Sequence, residues 1–430
     1  MSDLRTASSL AYSGYHKRLD TRPRQELTEV CRGTPGGEYQ RRFWHPIALV
    51  DELKEVPLKA RALGEDLVVF KDKSGQIGVL HLNCCHRNTS LEFGIIEEKG
   101  LRCCYHGRLF DIDGRILDTV GDPQQDVIAS RVSQGAYPVH VFAGIVFIYM
   151  GPPDRIPVFP IYDRFELPGI KLVPGPRLYS NCNWLQIQEN AMDPHHTATL
   201  HTIPQKRGMG HFADEFDRLP EMSWSQTPGG MIYLGARRVG DNIWVRSAES
   251  LGPNLRTISS IFESGKTVKQ ATPPFLTFWT LPVDDEHSIN FYFSHVAESE
   301  TMPFDKRRAL EIFGQFDDRP YSERQWIPGD HDAMVSQGAV NPHNLEHLGT
   351  FDRGVLMFRK NVRLGIDAVS RGDDPVGFYL TQDDVPATFA NDRVVPVDQL
   401  ADPDTAEGLS AFCEELVKDY LAKPPMTYLK

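Results

Sequence analysis

Two cysteines and two histidines stand in this 430-residue chain as two mixed pairs, Cys84-x-His86 and Cys103-x-x-His106. Each pair runs into a turn-like stretch, Arg87-Asn88-Thr89 and Gly107-Arg108. Two thiolates on one iron and two imidazoles on the other make a [2Fe–2S] cluster of mixed ligation. Neutral imidazoles in place of thiolates lower the negative charge of the cluster. Its potential then rises to roughly −150 to +300 mV, against about −400 mV for an all-cysteine plant-type cluster. Such a centre takes one electron at a time from a flavin reductase or a ferredoxin. Zinc is the other ion open to this donor set. Zinc sites usually group like ligands, whereas each pair here is mixed. Cys85 and Cys104 blur the register. With Cys104 as ligand the second pair would be C-x-H. Cys103 is preferred because the looser C-x-x-H spacing lets one turn carry both side chains, and Cys85 and Cys104 then read as buried structural thiols.

A second constellation is Glu189-x₃-Asp193-x₂-His196-x₄-His201. Glu189 and Asp193 are i,i+4, and Asp193 and His196 are i,i+3, so each pair shares a helix face. His196 and His201 are i,i+5, about 140° apart on a regular helix. The helix must widen or end between them for both to reach one ion. Two histidines with a carboxylate from elsewhere form the facial triad of a non-haem Fe(II) oxygenase, with positions open for O₂ and substrate. His195 is a third histidine in the run, and such runs also carry solvated or packed imidazoles. Together the two constellations form a circuit, one site collecting electrons and the other delivering them to O₂.

The elements that must position these groups can be read coarsely. Residues 1–40 read as a leader ending in Gly33-Thr34-Pro35-Gly36-Gly37. Residues 41–155 read as a small antiparallel β domain with strands at His45–Val50, Asp66–Lys71 and Gln76–Leu82. Leu109–Ile112 and Arg115–Leu117 flank Asp113-Gly114, a hairpin signal. The cysteine–histidine pairs therefore lie on loops of a rigid scaffold, which can converge on one site. Val139–Met150 reads as one buried strand, too short to span a bilayer. Residues 156–430 read as a mixed catalytic domain. Trp184–Leu200 is helical and interrupted by Pro194. Phe275–Leu281 and Ile289–Val296 form an antiparallel pair. Phe304–Phe316, Asp332–Ser336 and Ala406–Ala422 are helices. The fold class is α+β, an all-β domain followed by an antiparallel sheet flanked by helices.

Composition narrows the function. A net charge of −12 argues against nucleic acid and anionic membranes as partners. Seven cysteines, four of them between Cys84 and Cys104, suit a reducing cytoplasm and a metal cluster better than a disulfide framework. The N-terminus has no apolar signal-peptide core. The chain shows no dinucleotide fingerprint, so NADH would act through a separate reductase.

The chain resembles the oxygenase α component of Rieske non-haem iron aromatic-ring oxygenases, in the phthalate-dioxygenase-like, α-only branch that includes aryl O-demethylases. The matching stretches are Gly33-Thr34-Pro35-Gly36-Gly37-Glu38 through Trp44-His45-Pro46, the cluster loops, Gln188-Glu189-Asn190-Ala191-Met192-Asp193-Pro194, and the 329–359 segment with Ser336-Gln337-Gly338 and Glu346-His347-Leu348. The likeness covers most of residues 33–365. Arg108 stands where the family usually has Trp, Asn88 where it has Gly, and His195 where a smaller residue is usual.

The resemblance implies a Rieske [2Fe–2S] cluster on Cys84, His86, Cys103 and His106, and Fe(II) on His196, His201 and a downstream carboxylate. Asp330 fits that carboxylate, with Asp332 as competitor, since an Asp at such a turn also serves as a helix cap. It implies that Asp193 bridges the two metals across a subunit boundary, in a homotrimer or hexamer; the alternative is a carboxylate that merely orients His196. It further implies a flavin/iron–sulfur reductase or ferredoxin as electron donor, O₂, and an apolar, aromatic-lined pocket supplied partly by the 275–296 strands for an aromatic substrate. Hydroxylation, O-demethylation and ring dihydroxylation stay open, because all use the same ligands. A Rieske electron carrier without oxygenase activity is the alternative, disfavoured by the length and the second site.

Overall fold

The computed structural model describes residues 21–206, 214–259, 263–300 and 319–430. The expected helix at 304–316 and the first twenty residues of the expected leader lie outside them.

Three small antiparallel sheets occupy the N-terminal part. In the first, Ile145–Tyr149 lies between Trp44–Leu49 and Val139–Phe142. The apolar run from Val139 is therefore a hairpin and not the single strand expected. Ala143 (φ 47°) and Gly144 (φ 78°) both adopt the left-handed conformation that a tight two-residue hairpin turn needs. Alanine is a poor left-handed residue and gives no turn signal in the sequence. The second sheet runs Leu58–Ala62, Glu65–Lys71, Ile77–His81, Ala136–Tyr137. The third runs Ile95–Ile96, Leu101–Arg102, Leu109–Phe110, Ile116–Asp118, and its last hairpin turns at Asp113-Gly114 as expected.

A large antiparallel sheet follows. Its order is Ile170–Pro174, Ser288–Ala297, Leu276–Pro282, Leu255–Ile258, Asn242–Leu251, Gly230–Val239, Glu221–Thr227. Leu178–Ser180 and Asp392–Pro396 pair alongside. Ala406–Ala422 covers one region of it with Leu409, Cys413, Leu416, Val417 and Tyr420, an i, i+4, i+7, i+8, i+11 stripe packed on Ile232 and Leu234. The result is α+β, with a β domain preceding a catalytic unit built on an antiparallel sheet.

One core joins the two parts. Phe147 and Ile148 pack in the same cluster as Trp279, Phe291, Phe293 and Phe358. Residues Gln25–Thr28 and Pro35–Gln40 form short helices; their Leu27 and Tyr39, with Val30 from the link between them, enter that core. The sequence reading did not single out helix Arg353–Ser370, which buries Val355, Phe358, Val362 and Ile366. It begins at a close approach: a Cβ on Gly354 would meet the Met192 carbonyl at 2.2 Å. This contact sets the start of the helix against the residue before Asp193.

Candidate metal centres

The two cysteine–histidine loops share one hydrogen-bond plan. In the first, Cys84 N–H donates to Thr89 O and Asn88 N–H donates to Cys84 O, both at 2.9 Å. In the second, Cys103 N–H donates to Arg108 O at 2.8 Å and Gly107 N–H to Cys103 O at 3.1 Å. The fifth residue of each loop is left-handed, Asn88 at φ 61° and Gly107 at φ 73°. Asn and Gly tolerate that conformation best. Cys103 thus occupies the place in its loop that Cys84 occupies in the other, and Cys104 does not.

Side-chain placement agrees with that register. Cys84 and Cys103 are buried in one hydrophobic cluster. His86 and His106 are exposed, with ring centroids 4.7 Å apart. Cys104 also faces solvent and Cys85 is half-buried, so neither is the buried structural thiol expected. Burial, with a further push from Cys103, raises the Cys84 thiol to about 11. Such thiols stay protonated until a metal displaces the proton. Buried thiols inside and exposed imidazoles outside fit a mixed-ligand [2Fe–2S] group with its imidazole end toward solvent. Gln134 pins the first loop: its Oε1 accepts from Cys85 N–H at 2.8 Å, and its Nε2 donates to His81 O and Asn83 O.

The second constellation is built by two helix ends. Asn183 caps helix Trp184–Ala191, accepting from Leu185 N–H at 3.0 Å. The chain then tightens into a 3₁₀ turn at Pro194–Ala198, where Asp193 Oδ1 accepts from His195 N–H at 3.1 Å. The turn ends before His201, so the two imidazoles converge instead of splaying. His196 Nε2 and His201 Nε2 lie 3.3 Å apart. Asp330 Oδ1 is 3.4 Å from each of them. Ligand atoms this close can share one ion. Burial alone would raise the Asp330 carboxyl, but the charges and hydrogen bonds of His201 and His196 outweigh it and hold it well below the carboxylate range. These three residues are a two-histidine, one-carboxylate site for Fe(II).

Asp332 is turned away. It caps its helix by accepting from Gly329 N–H at 3.0 Å and pairs with Arg319 (2.9 Å) and Arg324 (2.6 Å). His195 packs against Phe351, ring centroids 4.5 Å apart. Glu189 leaves the site for Arg359. The Asp193 carboxylate is about one-third exposed, with Oδ2 3.9 Å from His196 Nδ1, which instead meets the Asp193 backbone carbonyl. The sequence reading missed Gln186. Its Nε2 donates to Met334 O (2.9 Å) and Gly338 O (3.1 Å), and its Oε1 accepts from Asn341 N–H. This amide ties the helix that opens with Asp330 to the helix that leads to the histidines. No sequence pattern marks it.

The pocket at the three ligands is walled by Phe216, Tyr233, Ala248, Ile258, Phe278 and Met334. Phe278 alone comes from the 275–296 strands; Trp279, Phe291 and Phe293 of that segment fill the core instead. Two buried arginines also line it, which an apolar expectation did not include. Arg246 pairs with Asp392 at 3.5 Å. Arg256 hydrogen-bonds the neutral Thr280 Oγ1 (2.7 Å) and Asn290 Oδ1 (3.3 Å) and lies over the Phe278 ring at 4.7 Å. A roomier groove between helix Arg353–Ser370 and the sheet contains none of the ligating residues. Among the described residues no helix is long and apolar enough to cross a membrane.

Comparison with known proteins bears on the first centre and on the chain as a whole. Residues 43–131 match the Rieske [2Fe-2S] domain. The chain is 42% identical to the tert-butanol monooxygenase / tert-amyl alcohol desaturase oxygenase subunit of Aquincola tertiaricarbonis, over 84% of this chain and 80% of that one. It is 35% identical to the phenoxybenzoate dioxygenase α subunit of Ectopseudomonas oleovorans, over 86% and 91%. It is 30% identical to the phthalate 4,5-dioxygenase oxygenase subunit of Pseudomonas putida, over 82% and 88%. The fold matches dicamba monooxygenase bound to dicamba with a TM-score of 0.58 at 19% identity, covering 77% of this chain and 98% of that one. On this likeness and these two centres, the chain belongs to the Rieske non-haem iron oxygenases, as an oxygenase α subunit related to the phthalate and aryl dioxygenases.

Proposed function

We propose that this chain is the terminal oxygenase for a small aromatic acid. Family membership implies a separate reductase or ferredoxin, drawing on NADH, and a small-molecule substrate. In this reading Cys84 and Cys103 hold one cluster iron, His86 and His106 the other, and His196, His201 and Asp330 the mononuclear Fe(II). The triangle of ligand atoms, 3.3–3.4 Å on each edge, carries the reading. Iron held there would supply O₂ activation. The chain's own residues then do the rest. The exposed imidazoles present the electron entry, Asp330 fixes the charge at the iron, and the aromatic wall excludes water.

The substrate class follows from Arg256. A buried cation is strongly disfavoured without a counter-charge. Its hydrogen-bond partners Thr280 and Asn290 are neutral, and Asp330 is committed to the metal. A carboxylate on the substrate would complete the pocket, with its ring against Phe278. The names of the phenoxybenzoate, phthalate and 3-chlorobenzoate oxygenase relatives accord with this. A small neutral alcohol, as in the name of the 42% relative, is the competing class.

Residues 41–155 are read as the cluster domain and 156–430 as the catalytic domain, in a cytoplasmic homotrimer or hexamer. Asp193 would relay electrons between subunits, which its partly exposed carboxylate supports. The test is turnover with a reductase on pairs of aryl carboxylates and their neutral amides or alcohols, with O₂ uptake and product mass as readouts. Product mass also separates O-demethylation, hydroxylation and ring dihydroxylation. Preference for the acids, lost in Arg256→Gln, is expected. Equal or better turnover of neutral alcohols would overturn the acid reading while leaving the oxygenase reading intact.

A further inference from the structure

Arg108 is a cation buried against the cluster loops, 9% exposed. Its carbonyl accepts from the Cys103 N–H at 2.8 Å, so its backbone is tied to a cluster cysteine. Its Nη1 lies 3.8 Å from Cys85 Sγ, in the residue after Cys84. The nearby arginines Arg102 and Arg115 pair with Glu97, Asp118 and Asp113. Arg108 makes no ion pair with a carboxylate among the described residues. A buried charge needs a partner or a metal site, and the group that the loops beside it would hold is the cluster, which carries anionic thiolates and sulfides and becomes negative overall on reduction.

We propose that Arg108 is the buried counter-cation of the [2Fe–2S] cluster and raises its reduction potential. The inference rests on Cys84, His86, Cys103 and His106 being the cluster ligands. With two ferric ions, two sulfides and two thiolates the oxidised cluster is formally neutral. One electron from the reductase makes it singly negative, and no bond forms or breaks. A fixed positive charge close by stabilises the reduced form more than the oxidised one, and burial keeps water and salt from screening it. Arg87 supplies the contrast. It sits at the tip of the first loop, exposed, with its guanidinium 5.8 Å from the Tyr105 ring centroid. Solvent screens its charge. Arg108 thus eases electron entry from the donor and reduces the drive for onward transfer to the mononuclear iron.

The test is a redox titration of the intact, cluster-loaded protein, followed by the visible and electron paramagnetic resonance signals of the cluster. Arg108→Gln should lower the one-electron reduction equilibrium about tenfold, equivalent to about 59 mV. Arg108→Lys should retain most of the wild-type potential. Arg87→Gln should shift it several-fold less, and only at low salt. If Arg108→Gln does not hold the cluster, Arg108→Trp, neutral and bulky, carries the same expectation. An unshifted potential in a neutral variant with intact cluster signals overturns the proposal. Equal shifts in the Lys and neutral variants overturn it too, because packing and not charge would then be responsible. A wild-type protein without a [2Fe–2S] signal would instead remove the ligand reading beneath it.

Discussion

Arg359 clamps Glu189 in a parallel two-point contact, Nε to Oε1 at 2.6 Å and Nη2 to Oε2 at 2.8 Å. The same guanidinium reaches Glu346 at 2.6 and 2.7 Å. One buried cation therefore joins helix Arg353–Ser370, the 343–346 turn and the helix that leads into Asp193 and His196. Burial pushes the Glu189 carboxyl up despite the arginine, so removing the arginine would leave two acids without their cation.

Arg359→Met should destabilise the fold by about 3–5 kcal/mol, the usual effect of breaking one side of a buried pair. Denaturant unfolding reads this out. Arg359→Lys should rescue it only in part, because an ammonium cannot make the forked contact. Iron content should fall at the mononuclear site before the cluster colour is lost.

Asp330→Ala should lose the mononuclear iron and all oxygenation while keeping the cluster spectrum. Asp332→Ala should keep the iron and lose about 1 kcal/mol through its helix cap, with a further contribution from Arg319 and Arg324. Iron counts on the two purified variants decide the matter; loss of iron from Asp332→Ala alone would reverse the assignment.

Asp193→Asn should retain both metal centres and slow transfer between them, since a charged acceptor beside His196 becomes neutral. Rapid mixing of the reduced protein with O₂ measures that step. Two inactive proteins, Cys84→Ala and His196→Ala, should partly regain activity when reassembled together. Absence of rescue in proven mixed oligomers would sink the inter-subunit route.

Glu65 links strand Glu65–Lys71 to Arg41, His81 and Tyr137. Burial pushes its carboxyl up, but hydrogen bonds from His81, Tyr137 and Arg41 together outweigh that and hold it at about 2. Its folded value is below its unfolded one, so its stabilisation is present above about pH 4.5 and is lost as pH falls through about 2. Glu65→Gln should therefore be less stable than wild type by roughly 3 kcal/mol near neutrality, with the gap closing on acidification. Unfolding curves at several pH values test the sign; a gap that widens toward low pH would contradict it.

Local chemistry made much of this protein legible. Mixed cysteine–histidine pairs, an Asp-Gly hairpin and the apolar stripe of Ala406–Ala422 all act over a few residues, so their spacing alone carries the signal. Asn88 in the left-handed conformation belongs here too, because its tolerance is a property of the side chain. The hairpin at Ala143-Gly144 was not legible, because tertiary packing imposed a turn on a residue that does not ask for one.

What only the tertiary structure decided was convergence. Spacing named His196 and His201, but Asp330 lies over a hundred residues away, and no periodicity distinguishes it from Asp332. The Gln186 amide and the Arg359 fork bring those segments together by hydrogen bonds that leave no pattern in the chain. Spacing already favoured Cys103 over Cys104; the fold added the shared hydrogen-bond plan of the two loops, which exists only once both are closed. Arg108 and Arg256 read as ordinary charges in sequence. Burial, a property of the packed molecule alone, is what gives them consequences.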